Sequence, residues 1–211
     1  MDSVLKYAKN ITYVTIDECI PRPDDMLMID NYPTKQFWHN FANRFMPIKK
    51  EIIDLSKKIM YKLFKNSKNI LGVLARGTDY IYKKPKNHPI PPNLMEIIHD
   101  VKEMDNIYNY EYIFFSTEDE MIRDNFTKNF LNKVKQIKPR KKINYDYIKR
   151  DYLNKNELIQ GNVEFNKIYL LNIIILSKCL DIIAARCSGT AGIFIITNGF
   201  RNMKIYNKGV Y

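Results

Sequence analysis

Cysteine is scarce. Only Cys19, Cys179 and Cys187 occur, with no C-x-x-C among them. An odd number at such spacings makes neither a zinc site nor a disulfide framework, and it suits a reducing, cytoplasmic setting. The opening stretch MDSVLKYAKNITYV lacks a basic region followed by an apolar core, so no secretory signal is legible. Long uncharged apolar runs are missing too. The most apolar segment, residues 168–185, is broken by Asn172, Lys178 and Asp181. A membrane span wants about 20 uncharged apolar residues, so this segment reads as a buried helix and strand. The dinucleotide fingerprint G-x-G-x-x-G, the P-loop G-x-x-x-x-G-K-[ST] and the hydrolase elbow G-x-S-x-G are all absent. His39, His88 and His99 show no metal-ligand spacing, and the acids at 24–25 read as a turn, so no metal site is expected. There are no repeats and no low-complexity linker.

What is abundant is lysine. Lys and Arg number 34 against 23 Asp and Glu, a net charge of +11. Such a field favours anionic partners, a phosphorylated substrate or an anionic membrane surface at its cytoplasmic side. The one dense cluster, KPRKKINYDYIKR at 138–150, reads as a solvated surface loop. Neither a glycine-aromatic RNA motif nor an amphipathic basic helix is present, so nucleic acid is not an expected partner. With 45% hydrophobic and 27% charged residues, the 211-residue chain is an ordinary globular sequence with room for one full domain.

Residues 1–33 are rich in Pro and Asp and read as loops around one short strand. From Thr34 the period becomes helical. Phe37, Trp38, Phe41 and Phe45 share one broad face, and after Pro47, Ile48, Ile52, Leu55, Ile59 and Leu63 recur at spacings of three and four. Pro47 suits the first turn of that second helix. From Asn69 strands and helices alternate: strands at 69–75, 110–117, 133–137, 180–185 and 203–207, helices at 92–104, 118–131, 163–179 and 188–197. Nearly continuous apolar strands separated by helices predict an α/β fold, a Rossmann-like parallel sheet flanked by helices. The division expected is a short, mostly helical segment at 1–66 and an α/β domain at 67–211.

In open parallel sheets ligands sit at the carboxyl ends of the strands. Three such ends are unusually polar here: Arg76-Gly77-Thr78-Asp79, Ser116-Thr117-Glu118-Asp119 and Arg186-Cys187-Ser188-Gly189-Thr190. Arg76 is a permanent cation suited to bidentate phosphate contact. Asp79 would hold that guanidinium or accept from a substrate hydroxyl, and Gly77 would let the loop turn sharply. Glu118 or Asp119 would accept from a guanine edge, or serve simply as acids at a helix start. Ser188 is a good helix cap, and Gly189 opens the first-turn N–H groups to an anion; this is either a phosphate cradle or a plain capped helix. His88 is the one histidine placed to return to this edge, and is otherwise a loop residue.

The segments LGVLARGTDY, KPKNHPIPP, YIFFSTEDE and LLNIIILSKCLDIIAARCSGTAG resemble, in this order, the GDP-fucose-dependent fucosyltransferases. That group includes the core α-1,6-fucosyltransferases, the nodulation fucosyltransferases and the protein O-fucosyltransferases, with bacterial surface-polysaccharide enzymes nearest. The resemblance covers about residues 67–211. It implies the carboxyl-terminal half of a GT-B glycosyltransferase that moves fucose, or a related sugar, from a GDP-sugar to a glycan hydroxyl. It implies an inverting, metal-independent reaction with no cofactor beyond the GDP-sugar substrate. Arg76 and Asp79 would be the catalytic residues, with Arg76 on the donor pyrophosphate. Gly77, Thr78, His88, Ser116, Thr117, Glu118, Asp119, Ser188, Gly189 and Thr190 would complete the donor site. Two departures stand out. Leu74 occupies the position where many relatives carry histidine, and only about seventy residues precede the arginine strand, which would make the amino-terminal part reduced or truncated.

Overall fold

The computed structural model describes residues 32–77, 81, 84, 86–137 and 162–211. The sequence expectations for 1–31 and for the basic stretch at 138–150 lie outside the described residues. Two helices come first, α1 (Tyr32–Phe45) and α2 (Lys50–Phe64). Strands and helices then alternate: β1 (Ile70–Leu74), α3 (Leu94–Tyr108), β2 (Tyr112–Ser116), α4 (Glu120–Asn129), β3 (Val134–Lys135), α5 (Asn162–Leu176), β4 (Asp181–Ala185), α6 (Ser188–Ile196) and β5 (Met203–Tyr206). The strands form one sheet in the order β3-β2-β1-β4-β5, every neighbouring pair parallel.

The sheet is covered on both faces because its central strands are apolar on both. Every residue of β1 and of β4 is buried. Ile70, Leu74, Phe114, Ile182 and Ala184 face one way and pack on Phe64 of α2, Ile173 and Leu176 of α5, and Ile193 of α6. Leu71, Val73, Ile113, Phe115 and Ile183 face the other way, onto Ile97, Ile98 and Val101 of α3 and Phe126 of α4. This alternation is the two-residue period of a pleated strand.

The segment 168–185 divides as its composition predicts, into the end of α5 and then β4. Among the described residues no helix is long and apolar enough to cross a membrane. Pro47 does not open α2. The helix starts at Lys50 with Lys49 at the cap position, leaving Pro47 in the connection. The aromatic face of α1 is partly turned to the core through Trp38. Its His39 has a structural role: Nδ1 meets the carbonyl of Ile195 at 2.8 Å and Nε2 meets Asn43 Nδ2 at 2.9 Å. Nδ1 must donate to that carbonyl, so Nε2 is the acceptor. This bond fastens α1 to one of the carbonyls that the end of α6 leaves without a helical partner.

Candidate functional site

Parallel register brings the three polar strand ends to one edge. Leu74 stands opposite Ser116 on one side and Ala184 on the other, and Ala185 stands opposite Tyr206. The chain fills the sheet outward from β1 to β2 and β3, then returns to place β4 on the opposite flank of β1. That reversal is a topological switch point, the place in open α/β sheets where ligands bind outside the carboxyl ends of the strands. Arg76 leaves β1 on one side of it, and the amino terminus of α6 leaves β4 on the other.

The first two tips are laced together. Ala75 N–H donates to the Ser116 carbonyl at 3.0 Å. Glu118 Oε1 lies 3.2 Å from Arg76 Nη1 and accepts from Gly77 N–H at 3.2 Å. Arg76 keeps 25% of its side chain exposed and Glu118 keeps 17%. The guanidinium is thus part-buried, with its Nε shielded and part of the group open to solvent. Asp119 caps α4, its Oδ1 accepting from Ile122 N–H at 3.1 Å. Thr117 Oγ1 accepts from Asp119 N–H at 3.2 Å, and Ser116 is the buried last residue of β2. Glu118 is thus the described carboxylate that holds Arg76. Thr78 and Asp79 lie outside the described residues.

Gly77 serves a different purpose from the sharp turn expected of it. Its φ is not in the left-handed region. A Cβ there would come within 2.7 Å of Asp119 Cβ and 2.8 Å of Ile122 Cδ1. Glycine is therefore needed because the loop after β1 passes against the start of α4.

At the third tip the cap residue is Cys187, not Ser188. Cys187 has extended backbone and its side chain caps no helix N–H, meeting instead the Thr190 hydroxyl at 3.6 Å, while Ser188 is the first helical residue and is exposed. The first intrahelical bond runs from Ala191 N–H to the Cys187 carbonyl. The N–H groups of Ser188, Gly189 and Thr190 precede it and have no acceptor within the helix. They form the positive end of its dipole. The Thr190 hydroxyl points inward and donates to the Ala185 carbonyl, so Thr190 can offer a ligand its N–H but not its side chain.

Two further residues stand at this edge: Arg186, which opens the third polar strand end in the sequence without a role assigned to it, and Tyr169, which the sequence reading missed. Arg186 sits at the end of β4, with Nη1 donating to Asn207 Oδ1 at 3.2 Å and a buried Nε that meets no hydrogen-bond partner among the described residues. Tyr169 of α5 reaches over the third tip. Its hydroxyl lies 2.9 Å from where a Cβ on Gly189 would be, with Ser188 beside it. Burial, and then the neighbouring Cys187, push the phenol up from its ordinary range, with Ser188 and the Arg76 charge opposing. The available signal was a lone phenol within an otherwise aliphatic helical run.

His88 lies on a turn clamped to the end of the chain. Tyr211 N–H donates to the His88 carbonyl at 3.1 Å, and Pro89 bridges to Val210. The ring is exposed, with Nδ1 3.1 Å from the Lys86 carbonyl. The ligand atoms of His99, Asp100 and Glu103 gather within 4.8 Å of one another on α3. Protein groups already account for Asp100, which pairs with Lys204 at 2.7 Å and accepts from the Tyr206 hydroxyl. Cys179 and Cys187 are buried. Burial pushes the Cys179 thiol up, the opposite of what a reactive thiol needs.

No family model and no curated protein matches the chain. Solved structures do. POFUT1 in complex with GDP matches at 10% identity and a TM-score of 0.52, over 81% of this chain and 51% of its own. POFUT1 in complex with GDP-fucose matches at 9% identity and 0.51, over 81% and 50%. NodZ alpha-1,6-fucosyltransferase co-crystallized with GDP matches at 13% identity and 0.50, over 84% and 60%. The chain spans about half the length of the POFUT1 chains and three-fifths of NodZ. At such identities the likeness is one of fold: the chain is built as part of POFUT1 and of the NodZ fucosyltransferase is built, on a parallel sheet flanked by helices.

Proposed function

We propose that the chain binds a GDP-sugar at the carboxyl edge of its sheet and transfers fucose, or a closely related sugar, to a glycan hydroxyl with inversion and without a metal. The observation that carries this reading is the placement of Arg76 and the α6 amino terminus on either side of the β1/β4 switch point. The fold shared with structures solved with GDP and GDP-fucose supports the choice of nucleotide.

In this reading the acceptor oxygen forms a bond to the anomeric carbon as the bond from that carbon to the β-phosphate oxygen breaks. The electron pair leaves with GDP, and negative charge grows on the β-phosphate. Arg76 and the N–H groups of Ser188 to Thr190 lie along the same sheet edge and would stabilise that charge. Glu118 holds the guanidinium at this edge until phosphate replaces it. Asp79 is the further proposed catalytic group, steadying Arg76 or accepting from a substrate hydroxyl. The acceptor hydroxyl's proton passes to a base that this reading does not assign.

A second reading is a GDP-sugar-binding protein without transfer activity. The described groups of the site, Arg76 and the first turn of α6, suit a nucleotide phosphate and would serve this reading equally. A thermal-shift panel of GDP, UDP, ADP and CMP tests what the two readings share. GDP alone is expected to raise the unfolding temperature, and the absence of a selective shift would refute both. A transfer assay with GDP-fucose then separates them, since only the first predicts turnover.

A further inference from the structure

Gly189 is a contact point between two elements far apart in sequence. From α5, the Tyr169 hydroxyl comes to 2.9 Å of the place a Cβ would take; from β1, Leu74 Cδ2 comes to 3.3 Å. Tyr169 therefore stands directly over the first turn of α6. Its oxygen lies beside Ser188 and within the electrostatic reach of Arg76 and Glu118, so it joins the third tip to the other two. The residue is 39% exposed. Its surroundings explain why a tyrosine would be kept here. The hydrocarbon neighbours Ile168, Leu170 and Leu171 could pack on the sheet without any hydroxyl. A phenol hydroxyl carries one proton that it can donate to an anion. Beside it are the N–H groups of the α6 amino terminus, which draw an anion to this spot.

We propose that Tyr169 is an anion-contacting residue: its hydroxyl donates to the same phosphate that the first turn of α6 and Arg76 receive. This rests on the GDP-sugar reading and names a residue that reading did not include. Phenylalanine at 169 keeps the ring and removes only the hydroxyl. Calorimetric titration of wild type and Tyr169→Phe with GDP and with guanosine provides the test. A hydrogen bond to a charged group corresponds to about 10–100-fold in affinity. Tyr169→Phe is therefore expected to bind GDP at least about tenfold more weakly, with guanosine binding unchanged. A purely structural tyrosine would not confine its effect to the ligand that carries phosphate. Equal GDP affinity in the two proteins would overturn the role of Tyr169 while leaving the donor site standing. No GDP binding by wild type would overturn the donor site itself, and Tyr169 with it.

Discussion

At the amino edge of the sheet, Asp181 opens β4 with no exposed surface and with its carboxylate fully engaged. Its Oδ1 accepts from Arg201 Nε at 3.2 Å, from Asn202 N–H at 2.8 Å and from Asn202 Nδ2 at 3.2 Å; its Oδ2 accepts from the Tyr110 hydroxyl and Arg201 Nη2. At the carboxyl edge, Arg76 is a quarter exposed, and the carboxylate that faces it also serves Gly77. Both edges pair arginine with an acid, yet they do different work. In the first pair the Asp181 carboxylate is fully buried and multiply bonded, and it ties β4 to the start of β2 and to the turn before β5. In the second the carboxylate keeps 17% of its side chain exposed, at the same edge as a helix terminus whose N–H groups have no helical acceptor. A polar cluster satisfied by its own chain supports the fold, whereas one at a switch point can take a substrate.

The largest expected effect lies at the first edge. Burial by itself would push the Asp181 carboxyl up, but its bonds to Arg201, Tyr110 and Asn202 outweigh burial and hold it below the ordinary carboxylate range. A depressed folded-state pKa gives stability that is present above the unfolded value of about 3.9 and is lost as pH falls through the folded value. Asp181→Asn should destabilise the protein by on the order of 3 kcal/mol, since it weakens an ion pair and disturbs several buried bonds. Urea unfolding followed from about pH 5 down to about pH 2 should show an acid-labile component in wild type that the variant lacks. Parallel curves for the two proteins would show that Asp181 is not the stabilising group at this edge.

A smaller effect tests where the carboxyl edge also carries the fold. Gly77→Ala forces a methyl against Asp119 and Ile122. Overpacking of this kind costs about 1–3 kcal/mol, so the urea midpoint should fall, by less than for Asp181→Asn. An unchanged midpoint would mean that the approach of this loop to α4 is looser than the contact distances imply.

Much of this was legible in the sequence. β1 and β4 read as strands because ILGVL and DIIAA are buried on both faces and so carry no polar alternation. The order of elements and the three polar strand ends followed from that. What escaped depends on which side chain arrives from elsewhere. The helix-cap rule favours Ser188 by type, but the turn after β4 puts Cys187 at the cap. Nothing local to Glu118 pairs it with Arg76, because that contact needs β1 and β2 to be neighbours. Tyr169 was hidden for the same reason: its helical period assigns it to α5, and only the packing of α5 near α6 brings its hydroxyl over Gly189.

The central claim is that the carboxyl edge binds the donor and that Arg76 contributes little to folding. Calorimetric titration with GDP of wild type and Arg76→Ala, with urea unfolding of both, tests it most directly. The account predicts GDP binding by wild type, none detectable in the variant, the same urea midpoint for both, and a loss of sugar transfer of at least about 10²–10³-fold. Near-equal GDP affinity and transfer in a folded Arg76→Ala protein would contradict it.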